Sequence, residues 1–201
     1  RPLPRGGPVR LEILDAPRHH ASHSHQDRGS ILLEVAEERI LVDRGIGHYS
    51  NPLGDLAKTA VAHNLLVPED DRGAPLSQIL WTEHPVKPRL SYRRGRFQAV
   101  LRLNEVWDSR WVRSAWRRLD SPRPGEFELT DDMEIRRPAG ATLHFHTPCR
   151  IERQGLGFLL IGQRVRVLIE PRWTPLQAAW AVDDFGIGAY GQAYTHLQIQ
   201  A

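Results

Sequence analysis

The stretch SILLEVAEERILVDRG, residues 30–45, decides the fold of this chain. It consists of two apolar runs on either side of a short charged segment, which predicts two β-strands joined by a tight turn at Glu37 and Glu38. The second strand ends at Asp43, so a carboxylate follows directly on apolar residues that would anchor it. We therefore expect a β-hairpin that also presents a polar side chain at its end.

The same period of two continues along the chain and is typical of half-buried β-strands. It is visible in PVRLEILDA (8–16), RGRFQAVLRLNEVW (94–107), GEFELTDDMEIRRP (125–138), ATLHFHTPCRIE (141–152) and LGFLLIGQRVRVLIEP (156–171). These segments predict an all-β protein, a two-layer antiparallel β-sandwich that forms a single domain over residues 1–201. One short helix is expected from Pro52 to Val61, with Asn51 as its N-cap and Pro52 at the first helical position.

The composition limits the classes of protein to which this chain can belong. The chain has 201 residues, of which 40% are hydrophobic and 25% charged, a globular balance. It has no apolar run near the ~20 residues that a membrane helix needs, so no membrane span is expected. The only methionine is Met133, so Arg1 is not a translation start, and we expect a piece of a longer protein. The single cysteine, Cys149, excludes an intramolecular disulfide.

The basic residues are almost all arginines, the exceptions being Lys58 and Lys87, and the net charge is +3. They are densest in RLSYRRGR, residues 89–96. We interpret this segment as a solvated loop, with contact to a polyanion as the alternative, because the arginine fork donates two parallel hydrogen bonds to carboxylate or sulfate groups.

Histidines are concentrated in HHASHSHQD, residues 19–27. His23 and His25 are two residues apart, so on an extended segment both rings point to the same side. Further ligands are available from Asp43 in ILVDRG and from His63 in AHN. Neutral imidazole and carboxylate suit Zn²⁺, which typically takes four ligands at ~2.0–2.2 Å. These residues form a candidate metal site.

The candidate site imposes a geometric requirement. In a simple hairpin Asp43 lies opposite Leu32, and an extended chain would then place His25 roughly 23 Å away, at ~3.3 Å per residue. The segment before Gly29 must therefore fold back over the sheet. A glycine at this position permits such a bend.

Three ordered motifs resemble a known family. They are SHSHQD (22–27), then LVDRG (41–45), then AHN (62–64). Together they are similar to the C-terminal β-sheet domain of heparinase II/III-like polysaccharide lyases, which include related alginate lyases. The resemblance implies that His25, Asp43 and His63 hold a zinc ion and that His23 is catalytic and faces the substrate cleft.

The resemblance also implies supporting residues, a reaction and partners for this domain. It implies supporting roles for Asp27, which would orient an imidazole, and for Asn64, which would brace the metal loop. Lyases of this kind cleave uronic-acid-containing polysaccharide by β-elimination and use an N-terminal α/α toroid that supplies a catalytic tyrosine. No toroid sequence is present here, and Tyr49 is unassigned, so we expect the isolated domain to be inactive. The implied partners are an acidic polysaccharide and the toroid, without nucleic acid, in the cell envelope, the periplasm or outside the cell.

Two alternatives remain open at this point. A cupin-like metal-binding domain also uses His-x-His, but it expects a glutamate where this chain has Gly29 and Ser30. A non-catalytic carbohydrate-binding sandwich would show exposed aromatic platforms. Of Trp107, Trp111 and Trp116, alternation places at least some in the core. The second histidine pair, His144 and His146 in HFH, we interpret as solvent-facing or core-lining.

Overall fold

The computed structural model describes residues 8–14, 24–45, 54–79, 86–94, 96–137, 140–172, 177–183 and 194–200. Antiparallel strands dominate these residues. The strands are β1 (Val9–Ile13), β2 (Ile31–Val35), β3 (Glu38–Leu41), β4 (Leu66–Pro68), β5 (Arg89–Arg93), β6 (Arg96–Arg102), β7 (Val112–Arg123), β8 (Glu126–Ile135), β9 (Ala141–Thr147), β10 (Arg150–Gln154), β11 (Gly157–Ile161), β12 (Arg166–Ile169), β13 (Gln177–Asp183) and β14 (Tyr194–Gln200).

The strands form four sheets. Their orders are β1-β2-β3, β10-β11-β12, β13-β14-β9-β4 and β5-β6-β7-β8. One buried apolar cluster joins the first three sheets and includes Ile40, Phe158 and Leu197. A second cluster, which includes Leu101 and Trp107, lies between the inner face of β6 and β7 and the segment that leads into β4. The predicted all-β antiparallel sandwich is confirmed.

The hairpin of residues 30–45 forms, but its turn is one residue earlier than predicted. Ala36 and Glu37 occupy the turn with φ values of 51° and 65°, the left-handed pair that matches the twist of two-residue hairpins. A β-bulge between Leu33 and Glu34 then shifts the register, so Leu33 pairs with Leu41. The pairing predicted from the turn at Glu37 and Glu38 was therefore wrong, while both strands were predicted correctly.

The helix predicted from Pro52 to Val61 is not continuous. Two 3-10 turns, Leu56–Lys58 and Ala60–Ala62, take its place, and Asn51 and Pro52 lie outside the described residues. Thr59 separates the turns because its backbone is extended, with φ −76° and ψ 158°. Its hydroxyl donates a hydrogen bond to the carbonyl of Leu56 over 2.7 Å, which stabilises the break.

The arginine-rich segment 89–96 is a hairpin and not a solvated loop. Its first five residues are β5, an edge strand that is exposed on both sides, and β6 begins at Arg96. The pairing runs from Arg89 opposite Val100 to Arg93 opposite Arg96. Alternation of Leu90 and Tyr92 with polar residues gives the strand a period of two, which is the pattern of a β-strand despite the high density of charge.

The three tryptophans have different environments. Trp107 is 1% exposed and belongs to the second apolar cluster, whereas Trp116 is 38% exposed. The guanidinium of Arg137 lies 4.9 Å from the ring centroid of Trp111. The expectation that some of them lie in the core is confirmed.

Candidate metal centre

The segment that carries His25 folds back across the sheet as required. Gly29 has a φ of 85°, in the left-handed region that glycine adopts without strain, and its N–H donates to the carbonyl of Leu14. A turn closes beside it, where the N–H of Ser30 donates to the carbonyl of Asp27 over 2.8 Å. The bend at Gly29 was correctly predicted from the sequence.

Side-chain amides hold this segment in place. The backbone N–H and C=O of Arg28 both pair with the side chain of Gln78, each over 3.0 Å. The N–H of Gln26 donates to the carbonyl of Lys58 over 2.8 Å, and its side-chain oxygen accepts from the N–H of Ala60. The sequence analysis did not identify these glutamines. Gln26 connects the His25 segment directly to the turns that precede His63, and Gln78 connects it to the chain that follows β4.

Asp43 follows β3 and is held by its own backbone. Its Oδ1 accepts a hydrogen bond from the N–H of Gly45 over 2.7 Å, and its Oδ2 accepts from Nδ1 of His63 over 2.7 Å. Burial by itself raises the pKa of this carboxyl, but the hydrogen bond and charge of His63, the Gly45 N–H and the charge of His25 lower the pKa below its usual value. Asp43 is therefore an anion at neutral pH.

His63 leaves the second 3-10 turn in an extended conformation and is completely buried. Its ring centroid lies 5.3 Å from that of His25. Its Nε2 is buried and has no hydrogen-bond partner among the described residues, which is uncommon for a buried polar atom. His63 thus has one nitrogen beside a carboxylate and a second nitrogen available as a ligand.

The structure brings His25, Asp43 and His63 together. One ligand atom from each lies within 4.8 Å of those from the other two. Ligand atoms bound to one tetrahedral zinc are roughly 3.3 Å apart, so small side-chain adjustments suffice. The donor set also fits, because two imidazoles and an ionised carboxylate are ordinary zinc ligands. His23 and Tyr49 lie outside the described residues, and the proposed role of the Asp27 side chain stays a prediction.

Asn64 makes the connections expected of a brace. Its side-chain NH₂ donates to the carbonyls of Ile31 and Val42, over 2.7 and 3.0 Å, and its Oδ1 accepts from the N–H of His146 over 2.7 Å. It therefore ties β2, the end of β3 and β9 to the residue next to His63. Asn64 thus braces the loop that carries His63, and the part of the expectation that concerns a metal stays a prediction.

A buried arginine that the sequence analysis missed completes the support. Arg117, on the inner face of β7, is 1% exposed and forms a two-point ion pair with Asp131 at 2.6 and 2.7 Å. Its remaining Nη1 donates to the carbonyls of Gly29 and Asn64, over 2.7 and 2.9 Å. Arg117 is thus bonded to both segments that carry the histidines.

The chain is similar to known proteins both in sequence and in fold. The sequence model of the family described as "Heparinase II/III-like, C-terminal" matches residues 13–182. The chain belongs to this family. Two solved structures of heparinase III, one with methylated lysines, share the fold with TM-scores of 0.70 and 0.69 at 10% and 11% identity. They are matched over 96% and 95% of this chain, which spans 30% of the length of each. No curated protein sequence matches.

Membership of the heparinase II/III-like family bears on the cupin alternative at the level of fold. It favours the lyase-type sandwich over a cupin, consistent with the absence of a glutamate at Gly29 and Ser30. The helical segments of the described residues are short turns, and none has the length and apolar character of a membrane span.

A second group of histidines lies beside the site in this heparinase II/III-like domain. His144 and His146 are buried on β9, which confirms the core-lining interpretation, and His196 on β14 stacks against both at ring-centroid distances of 5.1 and 4.4 Å. Nδ1 of His144 lies 2.9 Å from Nε2 of His196, so one of the two nitrogens donates and the other accepts. Nε2 of His146 donates to the carbonyl of Val61 over 2.9 Å.

This group predicts acid sensitivity of folding. Burial, followed by the charge of His196, lowers the pKa of His144 from 6.5 to about 3. The unfolded imidazole takes up a proton near pH 6.5 and the folded one only near pH 3, so acid favours the unfolded chain between these values. The lowered pKa of His144 should therefore decrease the free energy of unfolding by up to about 1.4 kcal/mol for each pH unit between 6.5 and about 3. Urea unfolding at stepped pH would measure the slope, and H144Q should reduce it. An NMR titration of His144 with a midpoint near 6.5 would contradict the prediction.

Proposed function

We propose that this chain is the metal-stapled β-sandwich domain of a lyase that cleaves uronic-acid-containing polysaccharide by β-elimination. The observation that carries the proposal is the convergence of His25, Asp43 and His63 within 4.8 Å, from three separate segments, in a heparinase II/III-like domain. The zinc ion would be held by one nitrogen of each imidazole and one oxygen of Asp43. The substrate would be an acidic polysaccharide, which suits work in the cell envelope, the periplasm or outside the cell.

The metal would hold the surrounding segments in position and would not need to activate water, because β-elimination requires no water nucleophile. When bound, it supplies a cross-link between the His25 segment, the end of β3 and the turn before β4. His63 would offer one of its ring nitrogens to the metal, either Nδ1 beside Asp43 or Nε2, which has no hydrogen-bond partner among the described residues. In both cases Asp43 must be ionised, as its lowered pKa provides.

His23 would be the residue of this domain that acts on the substrate. The C5 proton of a uronate lies next to a carboxylate and is only weakly acidic, so its removal needs a positioned base and neutralisation of the developing charge. An imidazole that titrates near neutral pH can act as that base or as the polar stabiliser. His23 is two residues from His25, so a cross-link at His25 would restrict its position. The acid for the leaving oxygen would come from a tyrosine of the toroid.

Because the acid for the leaving oxygen would come from the toroid, we predict that the chain has no lyase activity by itself. Elimination leaves an unsaturated uronate that absorbs in the ultraviolet, so absorbance should stay flat with the chain alone on heparan sulfate, alginate or another glycuronan. The parent protein with its toroid should give rising absorbance on at least one of these polymers, and H23A in that parent should abolish the rise. Steady growth of absorbance with the isolated chain would contradict the proposal.

A further inference from the structure

The hairpin of β5 and β6 has an unbalanced charge. Between His84 and Asn104 the sequence has no aspartate or glutamate. It has six cationic side chains there, and all of them are exposed: Lys87, Arg89, Arg93, Arg94, Arg96 and Arg102. The net charge of the whole chain is only +3, but positive charge is concentrated at one sheet edge.

Other exposed arginines of the same sheet region are neutralised locally. Arg113 pairs with Glu134 at 2.9 Å, Arg118 with Asp120 at 2.8 Å and Arg123 with Glu126 at 2.9 Å. Within the described residues, Arg93 and Arg96 have neither an ion pair nor a side-chain hydrogen bond. The hairpin guanidiniums are thus available to an external anion.

The strand register places four of these arginines on one face. Arg93 lies directly opposite Arg96, and Arg89 lies opposite Val100. Arg102 lies opposite Trp116 of β7, with its guanidinium 5.9 Å from the ring centroid. Residues opposite each other in an antiparallel pair share a face, and alternate residues of a strand do too. This outer face is opposite the one on which Leu101 and Arg117 pack towards Gly29 and Asn64.

The arrangement has a cost that folding does not explain. Like charges directly opposite each other destabilise a strand pair, and Arg93 and Arg96 are such a pair. Charges on an edge strand can prevent aggregation, which accounts for β5. Edge protection does not account directly for Arg96 and Arg102, because they lie on β6, inside the sheet order β5-β6-β7-β8. Arg96 pairs with Arg93 of β5 and Arg102 with Trp116 of β7. A bound polyanion would account for all four.

We propose that the outer face of the β5–β6 hairpin, formed by Arg89, Arg93, Arg96 and Arg102 with Trp116 beside them, binds an anionic polysaccharide away from the metal centre. The proposal rests on the proposed function for the class of polymer. Guanidinium forks bind carboxylate or sulfate through two parallel hydrogen bonds. Four residues along a strand span about 13 Å, which suits several charges of a linear polymer better than one small anion. The half-exposed Trp116 ring offers a flat apolar surface to a sugar.

The test is binding of the 201-residue chain to polymers, without turnover. In affinity electrophoresis, heparin would present sulfates and carboxylates, alginate carboxylates alone, and dextran no charge. R93Q/R96Q should weaken binding to a retained anionic polymer about tenfold, as expected for the loss of two charge-assisted contacts. The matched control R113Q/R123Q removes the same charge from arginines that have intramolecular partners, and it should bind like the wild type. Retention by heparin but not alginate would identify sulfate as the recognised group; retention by both would identify carboxylate.

Several results would overturn the proposal. Equal weakening by both double variants would show that overall charge is responsible, and equal or tighter binding of single-stranded DNA of matched charge would show a different class of partner. No retention by either anionic polymer would also overturn it. Should R93Q/R96Q unfold early, R89Q/R102Q provides the same comparison. The wild-type chain should bind polymer equally well with and without a chelator, so loss of the metal or of lyase activity is distinguishable from failure of this surface.

Discussion

Removal of zinc by a chelator should lower the melting temperature of the wild-type chain by about 10 °C. A ligand that binds only the folded state, at a free concentration about a thousand times its Kd, adds roughly 4 kcal/mol, and each kcal/mol shifts the melting temperature of a chain of this size by about 2–4 °C. H63A removes a fully buried imidazole of the proposed site. In this variant the chelator should produce almost no shift.

H23A is the matched control for this experiment. His23 is two residues from His25 and has the same side chain, but it is assigned to the substrate and not to the metal. Its replacement should leave metal content and the chelator response intact. If H23A lost the metal while H63A kept it, the assignment of ligands would be wrong. A melting curve followed by circular dichroism, with and without chelator, measures both variants.

The substitution R117M should destabilise the chain by about 3–5 kcal/mol, the range measured when one partner of a buried ion pair is removed. It leaves the Asp131 carboxylate without its cation and the carbonyls of Gly29 and Asn64 without a donor. Because those carbonyls belong to the segments that carry His25 and His63, metal affinity should fall by about 10–100-fold. Urea unfolding measures the first effect and competition with a chromophoric chelator the second.

R113M on the same strand is the control for R117M. Arg113 is exposed and pairs with Glu134 at the surface, where ion pairs contribute little, so its loss should cost far less stability than the loss of Arg117. The double variant R117M/D131L should recover part of the stability, because it removes the unpaired buried charge. Equal, small losses in R113M and R117M would show that the buried network does not support the site.

The sequence predicted most of the fold because strand periodicity is a local signal. Alternation through residues 94–107 and 141–152 was enough to identify β6 and β9. Turn geometry was less predictable, since the hairpin turns at Ala36 and Glu37 and a bulge follows it. The extended conformation of Thr59, whose hydroxyl donates to the carbonyl of Leu56, divides a segment whose N-terminal signals suggested one helix.

The candidate site was predicted in part. The order of ligand-type residues pointed to His25, Asp43 and His63, and the glycine at 29 pointed to the fold-back. Arg117 was missed although it left a signal. It interrupts an inward-facing row between Ala115 and Leu119, and a charged residue at such a position requires a buried partner.

Local sequence patterns did not indicate the contacts between distant segments. Asp131 is fourteen positions from Arg117, and His196 is fifty positions from His146, which it faces across the β9–β14 pair. Nothing in the residues around His196 indicates this partner. Only the strand register, which results from the assembled sheet, brings the two imidazoles together.

Zinc K-edge X-ray absorption on the purified chain tests the central claim most directly. The account predicts about one zinc per chain, with a shell of nitrogen and oxygen at ~2.0–2.2 Å and no sulfur. Cys149, the single cysteine, is buried and its sulfur contacts the carbonyl of Arg39, so it is not expected in the shell. The signal should disappear in H63A and in D43A. A zinc–sulfur distance of ~2.3 Å, or full zinc occupancy in both variants, would contradict the claim that His25, Asp43 and His63 hold the metal.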